Sequence, residues 1–235
     1  MERPSAFAAI PALMLLMLLI AAAPFPAQNK EPAFTPPEMA TASDMVYPVD
    51  SVASGIVVVA VRLDAAGTIK GTDVLRDIPS LTSPVLLAIQ DWTFKPAMLD
   101  NKGVDSTIVI SLVFNPKDYL VGGTAAPVLG KELRVLSPDA AGFLPPKTIA
   151  APWAVYPADS VMQGAVILDV RVGPRGKVTD VTSVWKIQPL TDTAIDAAKN
   201  WTFSPATFHG TPVAANEVVG YVFRVTNLAK PPGQR

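Results

Sequence analysis

The chain carries one unit twice: sliding it by 109 residues aligns Phe34–Phe114 with Phe143–Phe223 without a gap, and about a third of the aligned positions are identical. Such a repeat constrains the fold more tightly than composition does, because each copy must bury its apolar face alone or against its twin. The pairs include Phe34/Phe143, Tyr47/Tyr156, Pro48/Pro157, Gly55/Gly164, Arg62/Arg171, Gly67/Gly176, Trp92/Trp201, Phe94/Phe203, Pro96/Pro205 and Phe114/Phe223. Two copies in 235 residues make a tandem pair rather than a solenoid.

Each copy repeats one order of elements. In the second, Val166, Leu168, Val170 and Val172 alternate with Ile167, Asp169 and Arg171, the period of a strand with one buried face. Gly173–Gly176 then supplies turn residues and Lys177–Trp185 resumes extended character, so the two runs read as a hairpin; Asp64–Gly67 is the turn of the first copy. Leu190, Ala194, Ala197, Ala198 and Trp201 follow at helical spacing behind Pro189, which suits a first-turn position. In the first copy the helical set is Leu81, Val85, Ala88, Ile89 and Trp92, with Ser83 as cap and Pro84 opening the helix. Ile108–Phe114 and Glu217–Phe223 are β-branched and aromatic runs that read as a third strand. The segments Tyr47–Val52 and Tyr156–Met162 read as a short helix or turn, and Lys131–Leu136 as a candidate extra strand. The unit is therefore α+β: a small antiparallel β-β-α-β sheet covered by one helix.

The copies differ on one face. Outward positions of the first strand are Ile56, Val58, Ala60 and Arg62 in copy one but Ala165, Ile167, Asp169 and Arg171 in copy two. The greasier first set implies that its outer face is covered by the linker, the other copy or a second chain.

Composition excludes several classes of function. The 19 basic and 20 acidic residues leave a formal charge of −1 without a basic block, which argues against nucleic acid as a partner. With no cysteine and one histidine, thiol chemistry is excluded and histidine metal sites nearly so; no cofactor is implied. His209 lies in a loop without a Ser, carboxylate or metal partner in any motif and reads as a surface residue. Trp92 and Trp201, at helix ends before a proline, read as core anchors rather than a stacking platform. Tyr47 and Tyr156 read as packed rings in rigid turns, and Arg62 and Arg171 as members of cross-strand ion pairs or solvated side chains.

At the N-terminus, Ala6–Ala23 is an uncharged apolar run behind Arg3. As a helix it would be about 27 Å long, against roughly 30 Å of hydrocarbon. The small residues Ala21–Ala23 favour a cleaved signal peptide over an anchor, and either makes the remaining chain an exported one.

The ordered set, found twice, resembles the C-terminal domain of TonB, the energy transducer of Gram-negative envelopes. It comprises Tyr-Pro (Tyr47, Pro48; Tyr156, Pro157), a Gly before the first strand (Gly55, Gly164), a hairpin-turn Gly (Gly67, Gly176) and Trp-x-Phe-x-Pro-Ala (Trp92, Phe94, Pro96; Trp201, Phe203, Pro205). The resemblance divides the chain into residues 1–23 as signal peptide or membrane anchor, 24–35 as spacer, 36–115 as domain 1, 116–142 as linker, 143–227 as domain 2 and 228–235 as tail.

It implies a non-enzymatic periplasmic binding module associated with TonB-dependent transport. Its last strand would pair with a protein or extended peptide, such as a segment of an outer-membrane transporter. That edge would be Val213, Val218, Val219, Tyr221 and Phe223 in copy two and Val104, Ile108, Ile110, Leu112 and Phe114 in copy one. The sequence departs from a full transducer in its uncharged N-terminal run, its short spacer and its doubled domain. The alternative is an envelope assembly protein whose two domains pair with each other or in a homo-oligomer. Membrane contact would come only through residues 6–23, if these are retained.

Overall fold

The second copy builds the hairpin that its period-2 pattern dictates, and the first copy builds its equivalent. In the computed structural model, which describes residues 33–48, 50, 51, 53–116, 129, 133–157 and 160–224, the first copy contributes β1 (Gly55–Leu63), β2 (Ile69–Arg76), α1 (Pro79–Ile89) and β3 (Ser106–Pro116). The second contributes β4 (Gly164–Val172), β5 (Val178–Trp185), α2 (Leu190–Ala198) and β6 (Ala215–Arg224). The fold is α+β with two similar halves. The halves are not separate sheets: one six-stranded sheet runs in the order β5-β4-β6-β3-β1-β2. Within each copy the neighbours are antiparallel, and where the copies meet β3 and β6 run parallel.

Exchanging two adjacent parallel strands while keeping their direction requires a two-fold axis along the strands, and that rotation turns the sheet over. The helices accordingly cover opposite faces. Val57, Val59, Val61 and Leu63 of β1 pack with Leu81, Val85 and Ile89 of α1. Their equivalents Val166, Leu168, Val170 and Val172 pack with Leu190 and Ala194 of α2. The outward positions of each copy thereby become core of the other face. Ile56, Val58 and Ala60 are buried with Leu129 and Leu133 of the linker and Ala151 and Ala154 of copy two, so the covering implied by their greasiness comes from linker and twin. On the other face, Ala165 and Ile167 are buried with Met39 and Met45 of copy one.

The helix starts differ from expectation. α1 begins at Pro79, with Pro84 inside it rather than opening it, and Pro189 is the residue before α2 rather than part of its first turn. In both copies a first-turn threonine hydroxyl brackets a residue ahead of the helix, directly before α1 and three residues before Leu190 of α2. Ile78 N–H donates to Thr82 Oγ1 (3.0 Å) and Ile187 N–H to Thr191 Oγ1 (2.9 Å). Each hydroxyl donates back to the same residue's carbonyl. That pairing starts α1 ahead of Ser83.

The Tyr-Pro segments are turns, closed by Ser51 N–H on Pro48 O and Ser160 N–H on Pro157 O, each 3.1 Å. Leu133–Leu136 forms no strand, and Lys131 and Glu132 lie outside the described residues. Part of the segment read as spacer is strand: Phe34–Thr35 pairs with Ala97–Leu99. The Phe34 ring stacks on Phe208 and meets its own equivalent Phe143 at 4.9 Å.

The two signature glycines are explained by one contact. Gly67 and Gly176 have φ of +86° and +72°, and a Cβ on either would overlap the carbonyl oxygen of Phe94 or Phe203. Phe203 N–H donates to Gly176 O at 3.0 Å, so the hairpin turn and the Trp-x-Phe segment are packed backbone to backbone. Gly176→Ala is expected to lower stability by roughly 1–3 kcal/mol, read as a lower denaturant midpoint at unchanged m-value. An unchanged midpoint would contradict the close approach.

Candidate functional site

The strands expected to offer a binding edge lie at the centre of the sheet. β3 is bonded to β1 on one side and to β6 on the other, and β6 to β4 and β3; Val218 stands opposite Ile110 and Val222 opposite Phe114. Ile108, Ile110, Leu112, Phe114 and Val218 are buried on the α1 face, and Val219, Tyr221 and Phe223 on the α2 face. Their backbone groups are used within the sheet, so a peptide reaches them only if the β3–β6 seam opens. Val104 and Val213 are on separate short strands, Lys102–Val104 and Thr211–Val213, paired with Ala97–Leu99 and Ala206–Phe208.

The family-motif residues hold these central strands in place. Tyr47 meets Phe114 edge-on at 5.3 Å and Tyr156 meets Phe223 at 5.6 Å. The two hydroxyls donate to Ala53 O and Met162 O. Trp92 and Trp201 are 3% and 1% exposed, as core anchors should be. Trp201 Nε1 donates to the Tyr221 hydroxyl (2.7 Å), which donates to Pro152 O (3.0 Å). Burial pushes the Tyr221 phenol well above its ordinary value. Gly55 and Gly164, with φ of +139° and +130°, start β1 and β4. His209 is an exposed loop residue, Arg62 pairs with Asp73 across β1 and β2 (3.2 Å), and Arg171 donates to Asn216 (3.2 Å).

The seam holds a polar cluster that the sequence reading missed. Glu217 on β6 is fully buried, and its Oε1 accepts bonds from Ser111 of β3 (2.7 Å) and Thr148 (2.6 Å). Among the described residues Oε2 has no partner, and burial pushes the carboxyl up to about 8. The first copy has Ile108 at the equivalent position. The only hint in sequence was one carboxylate in an otherwise apolar strand. On the opposite face Asp169, bonded by Asn216 Nδ2 (2.9 Å) and Met39 N–H (3.3 Å), is pushed up by burial to about 6. Arg224, also unforeseen, runs from β6 to the turn of the other copy: it donates to Pro48 O (3.3 Å) and Ser51 O and lies 5.4 Å from the Tyr47 ring centre.

The two outer edges of the sheet are unequal. Beside β2, Arg134 of the linker donates its backbone N–H to Leu75 O (3.1 Å) and its guanidinium to Val74 O (3.2 Å). β5 pairs with β4, and among the described residues no strand lies on its other side. Among those residues, no group of three or more His, Cys, Asp or Glu side chains gathers to hold a metal.

Fold and edges together define a doubled α+β unit whose two copies share one sheet. The family described as Gram-negative bacterial TonB protein C-terminal matches residues 45–116 and again residues 154–225. The chain belongs to that family and carries its domain twice. This is a non-catalytic protein-interaction family of the Gram-negative envelope, whose domains bind proteins or peptides. No curated protein and no solved structure is matched by the chain. Residues 1–23 lie outside the described residues, and among those described no helix is long and apolar enough to cross a membrane.

Proposed function

We propose that this protein is a non-enzymatic periplasmic module, associated with TonB-dependent transport, in which each copy occupies the last strand of the other and a partner's extended segment adds to the free edge at β5. The parallel β3–β6 pairing carries this reading, because it closes the edges otherwise available and leaves β5 open. An open strand presents alternate N–H and C=O groups that an extended peptide can complete. β5, Val-Thr-Asp-Val-Thr-Ser-Val-Trp, is rich in β-branched residues and has neither the Pro nor the Lys with which natural edges are commonly blunted. The same composition supports a second reading, edge-to-edge pairing of two copies of the chain.

Amide signals followed while an extended peptide from an outer-membrane transporter is added test the proposal. Shifts confined to Val178–Trp185 are expected. Outward and inward N–H groups alternate along a strand, so one of Val181→Pro and Thr182→Pro removes an outward donor, spares the β4 ladder and abolishes the shifts. Shifts in β3 and β6 instead would mean that the seam opens. A mass that doubles with concentration would select the paired-copy reading, and neither response at millimolar peptide would reject the module.

A further inference from the structure

We propose that a cavity on the α2 face of the first copy binds a small anionic amphiphile, with a short acyl chain inside and a carboxylate head against Arg134 and Lys147. The cavity measures about 210 Å³, and its apolar walls are Val58, Leu75, Val109, Leu133, Leu136 and Leu144. Arg134 and Lys147 also line it, together with Thr148, Ser204 and prolines, and among the described residues no acidic one does. Among those residues the charge on the wall is therefore of one sign. Arg134 uses one N–H group on Val74 O (3.2 Å) and is otherwise exposed, with further donors to offer a carboxylate.

The pseudo-symmetry of the molecule provides an internal control. The equivalents of Thr148, Val58 and Val109 are Met39, Ile167 and Val218, which are buried together in the core of the α1 face. Where that face places a methionine and an isoleucine, this one places a threonine and a valine. Both substitutions reduce the apolar volume supplied to the wall. The cavity is smaller than the pockets that take drug-sized ligands, which suits a single short chain and excludes a whole phospholipid.

Methyl signals of Val58, Val109 and Leu133 in the full chain, followed during titration with octanoate, test the site. Saturable shifts are expected, with affinity falling about ten-fold for octanol, a chain of equal length without the charge, and by a similar factor in Arg134→Ala/Lys147→Ala. Neither of those side chains is in the core, so the double variant should keep its fold. Val58→Phe, with an unchanged melting point, should abolish binding by filling the space; should it fail to fold, the double variant still decides. Absence of shifts at millimolar octanoate would overturn the proposal. So would equal binding of octanoate and octanol, or binding of anionic phospholipid vesicles without octanoate.

Discussion

Glu217→Gln is expected to remove most of the pH dependence of stability between about pH 4.5 and 8, and to leave the variant clearly more stable than the natural chain at pH 8. In the unfolded chain the carboxyl titrates near its ordinary value of 4.5, whereas in the sheet burial holds it protonated up to about 8. Between those values the unfolded state has lost the proton and the folded state keeps it. Stability that is fully present below the lower value is therefore lost as the pH rises through the upper one, at a slope of about 1.4 kcal/mol per pH unit for one proton. Asp169, also raised by burial, adds a slope of the same sign at lower pH. The difference between wild type and variant isolates Glu217. Gln keeps an oxygen for the Ser111 and Thr148 hydroxyls and cannot ionise. Denaturant midpoints at pH 5 and pH 8 read the effect, and identical slopes for the two proteins would mean that the carboxyl is not buried at the seam.

Trp201→Ala should destabilise the protein by roughly 3–5 kcal/mol, lowering the melting temperature by about 6–20 °C in a single transition that includes the first copy. Trp201 is in the same core as Val58 and Val109 of the first copy, while Ala165, Ile167 and Val218 of the second copy complete the core under α1. A cavity opened in either core removes contacts from both copies, and the parallel strands couple them further. Hydrogen exchange at β1 and β4 is the discriminating measurement. Both strands should lose protection by the same free energy. If β4 became labile while β1 stayed protected, the copies would be independent domains joined by a linker.

Much of this molecule is legible in local pattern. Alternation marks β4 and the repeat carries that reading to β1, the turn glycines mark the hairpins, and the tryptophans at the helix ends read as the core residues they are. The third strands are equally legible as strands, but the resemblance puts them at an edge and the sheet puts them at its centre. Ile108–Phe114 and Glu217–Phe223 are nearly continuous apolar runs rather than alternating ones. A run of that kind marks a strand buried on both faces, at the interior of a sheet rather than its edge. Pro84 suits a first-turn position and points to a later start for α1, whereas Thr82, bracketing Ile78 through its hydroxyl, sets the start at Pro79.

The sequence by itself determined the repeated unit, its order of strands and helix, the helix-facing side of the first strand and the family, because these depend on spacings of a few residues and on motifs that occur twice. The tertiary structure alone decided how the copies meet. Parallel pairing of β3 with β6 joins backbone groups more than a hundred residues apart, and hydrogen bonds between backbones leave no residue-type signature. From that one juxtaposition come the inversion of the sheet, the helices on opposite faces, the burial of Glu217 against Ser111 and Thr148, and the open edge at β5.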